Sequence, residues 1–122
     1  VMKYYHGTTK ENYNDILKHG FKKEKIGQGW GSTYGKGFYF TPHYDMATSY
    51  ADSDEYIICI EISENTNLFP LQKRYSPMNH HHKRELQKIK QQLAETCDGY
   101  KTIDNEEIIL FENKHITVVS PS

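Results

Sequence analysis

The spacing of apolar positions changes several times along the chain, and each change marks an element. Met2 to Tyr5 is a short β-prone stretch that runs into His6-Gly7. Thr8-Thr9-Lys10-Glu11 has the form of a capping box, with Thr8 as the cap and Glu11 reaching back to it. Tyr13, Ile16 and Leu17 then recur at helical spacing, and Gly20 closes that helix with Phe21 as its hydrophobic contact. After a loop-like Tyr34-Gly35-Lys36, the residues Gly37-Phe38-Tyr39-Phe40-Thr41 alternate small and bulky, as a short strand does. Thr41 as N-cap and Pro42 at the first helical position open a helix predicted to run to Ala51, with Met46, Ala47, Tyr50 and Ala51 on one face.

Tyr56 to Ile62 is apolar at nearly every position, the pattern of a strand covered on both faces, and Asn65 to Pro70 breaks it. Asn79 to Thr96 carries Leu86, Ile89 and Leu93 on a narrow stripe, a helix closed by Asp98-Gly99. Two strands finish the chain, Glu106 or Glu107 to Phe111 and His115 to Val119; the three polar residues between them predict a hairpin. The order β-α-loop-β-α-β-α-β-β has more strands than covering helices. It predicts an α+β fold on a split or bent, mainly antiparallel sheet with flanking helices.

Length changes this picture little: 122 residues fit a single domain, 1–122, with one core. Composition is polar, with a mean hydropathy of −0.82 and 36% hydrophobic residues, so the ten Tyr, five Phe and one Trp must supply much of the core. A net charge of −1 provides no global field toward nucleic acid or a membrane. No apolar run approaches the roughly 20 residues of a membrane span. Cys59 and Cys97 form no C-x-x-C pair, which points to a reducing compartment. A soluble, cytoplasmic monomer is the expectation; an effector or toxin delivered into a target cell by another route would read the same.

Phe21 to Gly35 holds Gly27, Gly29, Gly31 and Gly35 around Trp30, a loop of the kind that borders ligands. A dinucleotide fingerprint needs a strand before such glycines and a helix after them, and neither context is present. The consecutive histidines His80, His81 and His82 point to different sides of a helix and are read as a solvated helix end rather than a metal site.

His6, Tyr39 and Glu107 are weak signals singly, since a histidine beside glycine is commonly a turn residue and a glutamate opening a strand is commonly a solvated edge. Their contexts together carry more. His6-Gly7-Thr8 ends a first strand, Gly35-Lys36-Gly37-Phe38-Tyr39-Phe40 forms a second, Tyr50 follows Tyr39 by eleven residues, and Glu107 opens an apolar strand near the end. This set resembles the His-Tyr-Glu signature of the ADP-ribosyltransferases related to poly(ADP-ribose) polymerases and diphtheria toxin. The resemblance covers most of the chain and is thinnest over Asn65 to Thr96.

The resemblance implies NAD as co-substrate, with no metal. His6 would bond the adenosine-side ribose hydroxyl, Gly7 would offer its backbone N–H and C=O to the nicotinamide carboxamide, and Thr8 lies where a serine often reaches a ribose. Tyr39 and Tyr50 would sandwich the nicotinamide ring. Glu107 would hold the nicotinamide-ribose 2′-hydroxyl and stabilise the oxocarbenium-like cation left as the C–N bond breaks, as carboxylates do in glycoside hydrolysis. Glu107-Ile108-Ile109-Leu110-Phe111 fits the family's count better than a start at Glu106, which would point to the opposite face.

Ala47 departs from the pattern: polymerase-type members have there a serine that bonds the carboxamide. Asn105 likewise stands where one branch has an acidic or amide residue that orients acceptor arginines. With no long acceptor-site loop, transfer of a single ADP-ribose to a macromolecular acceptor is expected, to protein before nucleic acid. The alternatives are a non-catalytic NAD or ADP-ribose binding module, an NAD glycohydrolase, and an RNA 2′-phosphotransferase, the last disfavoured because Arg74 and Arg84 are the only arginines.

Overall fold

The computed structural model describes residues 2–22, 37–76, 78–93 and 95–119. In chain order the elements are β1 (Met2–Gly7), α1 (Lys10–His19), β2 (Phe38–Phe40), α2 (Tyr44–Thr48), β3 (Ile57–Ile62), β4 (Leu68–Pro70), α3 (His80–Leu93), β5 (Gly99–Lys101), β6 (Ile108–Leu110) and β7 (Ile116–Val119). Gly27, Gly29, Trp30, Gly31 and Gly35 of the predicted ligand-bordering loop lie outside the described residues.

The strands form two sheets, β1-β3-β7 and β2-β6-β5-β4. All neighbours are antiparallel except the β4–β5 pair. The sheets touch where Tyr5 and Thr41 exchange backbone hydrogen bonds of 2.7 and 3.0 Å. This is the split, mainly antiparallel α+β arrangement expected from the element order.

Two apolar clusters cover the second sheet. Phe38, Phe40, Ile108 and Leu110 face a large cluster with Tyr4, Ile16, Phe21 and the β3 isoleucines. Ile109, from the intervening position, faces a smaller one with Leu71, Tyr75, Leu86 and Tyr100. Every residue of β6 is therefore buried, although a strand alternates its faces. The Tyr100 hydroxyl donates to the Leu86 carbonyl at 3.0 Å and ties α3 to this sheet.

Several local expectations are corrected. The cap of α1 is Thr9, whose hydroxyl accepts the Asn12 N–H at 3.1 Å, while Thr8 is still paired to the strand side, its N–H on the Tyr56 carbonyl at 3.0 Å. The helix predicted from Pro42 to Ala51 shrinks to Tyr44–Thr48, because the Thr41 hydroxyl accepts from His43 N–H in a tight turn. The hydroxyls of Thr48 and Ser49 then bond back to the Asp45 and Met46 carbonyls at 2.6 and 2.7 Å, competing with further helix. β3 is buried on one face only, at Ile58, Ile60 and Ile62, and half-buried at Ile57, Cys59 and Glu61.

The break at Asn65 to Pro70 contains β4, and Gly99 does not close α3 but starts β5. A Cβ on Gly99 would stand 2.0 Å from the Ile109 carbonyl oxygen, so glycine permits the close approach of β5 to β6. The C-terminal hairpin is also absent: β6 lies between β2 and β5, whereas β7 crosses to the other sheet beside β3. The polar link between them serves that crossing, with the Asn113 side-chain amide donating to the Phe21 carbonyl at 2.7 Å.

Candidate active site

β1 and the turn after α2 build one wall of the site. Tyr5 bonds Thr41 and Thr8 bonds Tyr56, so backbone groups of alternate β1 residues face opposite sides. By that alternation Gly7, opposite Ile57, directs its N–H and C=O away from β3, toward the side where the sheets part. The chain leaving α2 packs directly on this glycine: a Cβ there would be 1.9 Å from the Ala47 carbonyl oxygen and 3.2 Å from the Ala51 nitrogen. Gly7 is thus required by packing as well as by any ligand. Ala47 itself is buried.

The segment carrying Tyr50 is tied back to the start of α1. Asp52 N–H donates to the Thr8 carbonyl at 3.1 Å, and its carboxylate accepts the Lys10 N–H at 3.3 Å. Thr8 is buried in this junction.

His6 stands half-buried on the large-cluster side, its ring 5.4 Å from that of Phe21 and 5.6 Å from that of Phe40. Nδ1 lies 2.8 Å from the Tyr39 carbonyl oxygen. A carbonyl only accepts, so the proton sits on Nδ1 and leaves Nε2 as an acceptor in the neutral ring. Burial lowers the imidazole pKa despite the opposing effect of that hydrogen bond, and the ring is neutral at pH 7.

The other wall comes from β2 and the turn that leads into β6. Tyr39 pairs with Ile109 and, half-buried, packs against the smaller cluster, opposite in direction to Phe38 and Phe40. Glu107 precedes Ile109 by two residues and shares that face; it is half-buried, whereas Glu106 is exposed. Burial, reinforced by the Asp104 and Glu106 charges, pushes the Glu107 carboxyl up to about 7. The Tyr50 hydroxyl is raised by its own burial and then by the charges of Glu107 and Glu106. Tyr50 is still 51% exposed.

Of the predicted residues, His6 is joined directly to Tyr39 through the backbone of β2, while Glu107 acts on Tyr50 through its charge. Gly7, Thr8 and Ala47 belong to the wall that carries Tyr50. Thr102 and Asp104, which hold the turn before Glu107, were not singled out from the sequence. Thr-x-Asp-Asn is a turn signal, and nothing in its composition marks it as part of a site.

The split, mainly antiparallel α+β arrangement is that of the ADP-ribosyltransferase class of fold. The model of the poly(ADP-ribose) polymerase catalytic domain matches residues 1–118, and the chain belongs to that family. Membership supports NAD-dependent ADP-ribosyl transfer as its general activity. Comparison with curated proteins gives no match. No helix among the described residues is long and apolar enough to cross a membrane.

Proposed function

We propose that the chain is a mono-ADP-ribosyltransferase, which cleaves the nicotinamide–ribose bond of NAD and passes the ADP-ribose to a macromolecular acceptor, protein before nucleic acid. The observation that carries this reading is the match of the poly(ADP-ribose) polymerase catalytic domain over residues 1–118, with Glu107 half-buried at the start of β6.

The residues suit the parts of NAD. Nε2 of His6 accepts a ribose hydroxyl, and the backbone pair of Gly7 matches the donor and acceptor of a carboxamide. Tyr39 and Tyr50 offer ring faces and edges to the nicotinamide. As the C1′–N bond breaks, its electron pair leaves with nicotinamide and positive charge develops on the ribose. Glu107, as the anion, stabilises that charge. An acceptor nucleophile then bonds C1′ from the opposite face and gives up its proton, for which a carboxylate titrating near 7 is a suitable base.

Nicotinamide release from NAD by the purified chain, with mass spectrometry of a lysate supplied with labelled NAD, tests the proposal. Modified macromolecules are expected; nicotinamide without any modified acceptor would make the chain an NAD glycohydrolase. Ala47 favours a second reading, NAD held without turnover, because its methyl offers no bond to a carboxamide. Calorimetric binding of NAD with no nicotinamide formed would select it.

A further inference from the structure

Glu107 stands just outside β6, where strand pairing no longer holds the chain, so something else must fix its carboxylate. The turn from Lys101 to Ile108 supplies it. Thr102 N–H donates to the Glu107 carbonyl at 3.1 Å, and Glu107 N–H donates to the Thr102 hydroxyl oxygen, also at 3.1 Å. The Thr102 hydroxyl oxygen lies 2.7 Å from Asp104 Oδ1 and 3.2 Å from the Glu107 carbonyl. Its single proton goes to the nearer, ionised acceptor.

Asp104 Oδ1 also accepts the Glu106 N–H at 3.1 Å. These bonds hold Asp104 below the usual carboxylate range, Thr102 contributing most, with Arg74 3.4 Å from the other oxygen adding to it. Between them, Asn105 turns the chain at φ 59°, in the left-handed region that asparagine tolerates. Thr102 is buried, so its hydroxyl is not exchanged for water at little cost.

We propose that Thr102 and Asp104 are positioning residues for Glu107, one bonding its backbone and the other anchoring that bond with its negative charge held in the turn that carries the carboxylate. The proposal rests on Glu107 being the working carboxylate. Among the described residues, the charged and titratable groups coupled to it are Asp104 and Glu106 from its own turn, Tyr50 from the turn after α2, and Arg74 acting through Asp104.

The test uses the full chain with Thr102→Val, Thr102→Ser and Asp104→Asn, and with Glu107→Gln as reference. Thr102→Val is expected to lower kcat by about 10- to 100-fold with little change in KM for NAD, as a small displacement of a reacting group does. Thr102→Ser, which restores the hydroxyl, is expected to recover most of it. Asp104→Asn keeps an acceptor at Oδ1 but removes the charge. It is expected to move the Glu107 midpoint down by about one unit, followed by carboxyl NMR on carbon-13 glutamate-labelled protein without NAD.

A folded Thr102→Val with wild-type kcat, or an Asp104→Asn protein whose Glu107 titrates unchanged, overturns the proposal. Should Thr102→Val fail to fold, the Asp104→Asn titration decides alone. The titration needs no turnover, so a Glu107→Gln enzyme as active as wild type would sink the catalytic reading while this measurement still judged the positioning device.

Discussion

Tyr100 in β5 and Glu107 in the turn before β6 both have their pKa raised by burial, with opposite consequences. Tyr100 is almost fully buried, its hydroxyl satisfied by the Leu86 carbonyl and pushed up to about 12. A phenol is neutral at pH 7 in any case, so this burial strains nothing and fastens α3 to the sheet. Glu107 is pushed up to about 7 by burial and by the charges of two further carboxylates, Asp104 and Glu106. Its ionisation at neutral pH is opposed by the fold and is relieved only by positive charge. The end of the sheet under α3 is built for stability; the end at β6 holds an anion that a developing cation would stabilise.

Glu107→Gln breaks this contrast most strongly. Nicotinamide release should fall by about 100-fold or more, since one preorganised electrostatic group commonly contributes that much. Stability should move the other way. With a folded value raised to about 7 from 4.5, the Glu107 carboxyl stabilises the fold fully below its unfolded value and loses that contribution as pH rises through 7. At pH 8 the variant, which has no charge to bury, should gain on the order of 1 kcal/mol after discounting for partial exposure; at pH 4 it should gain nothing. Denaturant melts at the two pH values check this, and equal differences at both would refute it. The same titration predicts that wild-type activity rises with pH and levels off above about 7, because the anion is the working form.

Gly7→Ala probes the functional end by geometry instead of charge. Its methyl would meet the Ala47 carbonyl at 1.9 Å, a backbone atom that cannot swing aside. The variant should lose about 2 to 3 kcal/mol of stability, and the turn carrying Tyr50 should shift with the displaced α2. Thermal melting reads the first effect and KM for NAD the second. A wild-type melting temperature would show that α2 yields easily and that Gly7 is kept for another reason.

The helices and long strands were legible because each carries its own period: Leu86, Ile89 and Leu93 mark α3, and the isoleucines mark β3. Two of the short strands, β4 and β5, were not. β4 ends in a proline, β5 begins with a glycine, and both last three residues, so their pairing depends on partners far along the chain. The false hairpin has the same origin: β6 and β7 suit each other locally, but burying β3 on both edges requires β7 on the other sheet. At the site, His6-Gly7 and Tyr39 are weak signals singly and stood out only through the family resemblance of their contexts together. The Thr102–Asp104 turn gains its bonds to Glu107 only once β5 pairs with β6.

Tyr100→Phe should have the smallest effect, and it sharpens the contrast from the stable end. Removing the hydroxyl leaves the buried Leu86 carbonyl without that donor while the ring keeps its packing 4.9 Å from Phe111. The expected loss is about 1 kcal/mol, the typical cost of one such bond. Because neither the phenol nor its replacement ionises below pH 9, the loss should be the same at pH 5 and pH 8, unlike the Glu107→Gln gain. Turnover should stay within about 2-fold of wild type, since the hydroxyl points at α3 and away from the parting of the sheets. A loss that grew with pH would mean that the two groups titrate as one system, and that the division between a fastened end and a strained end is not real.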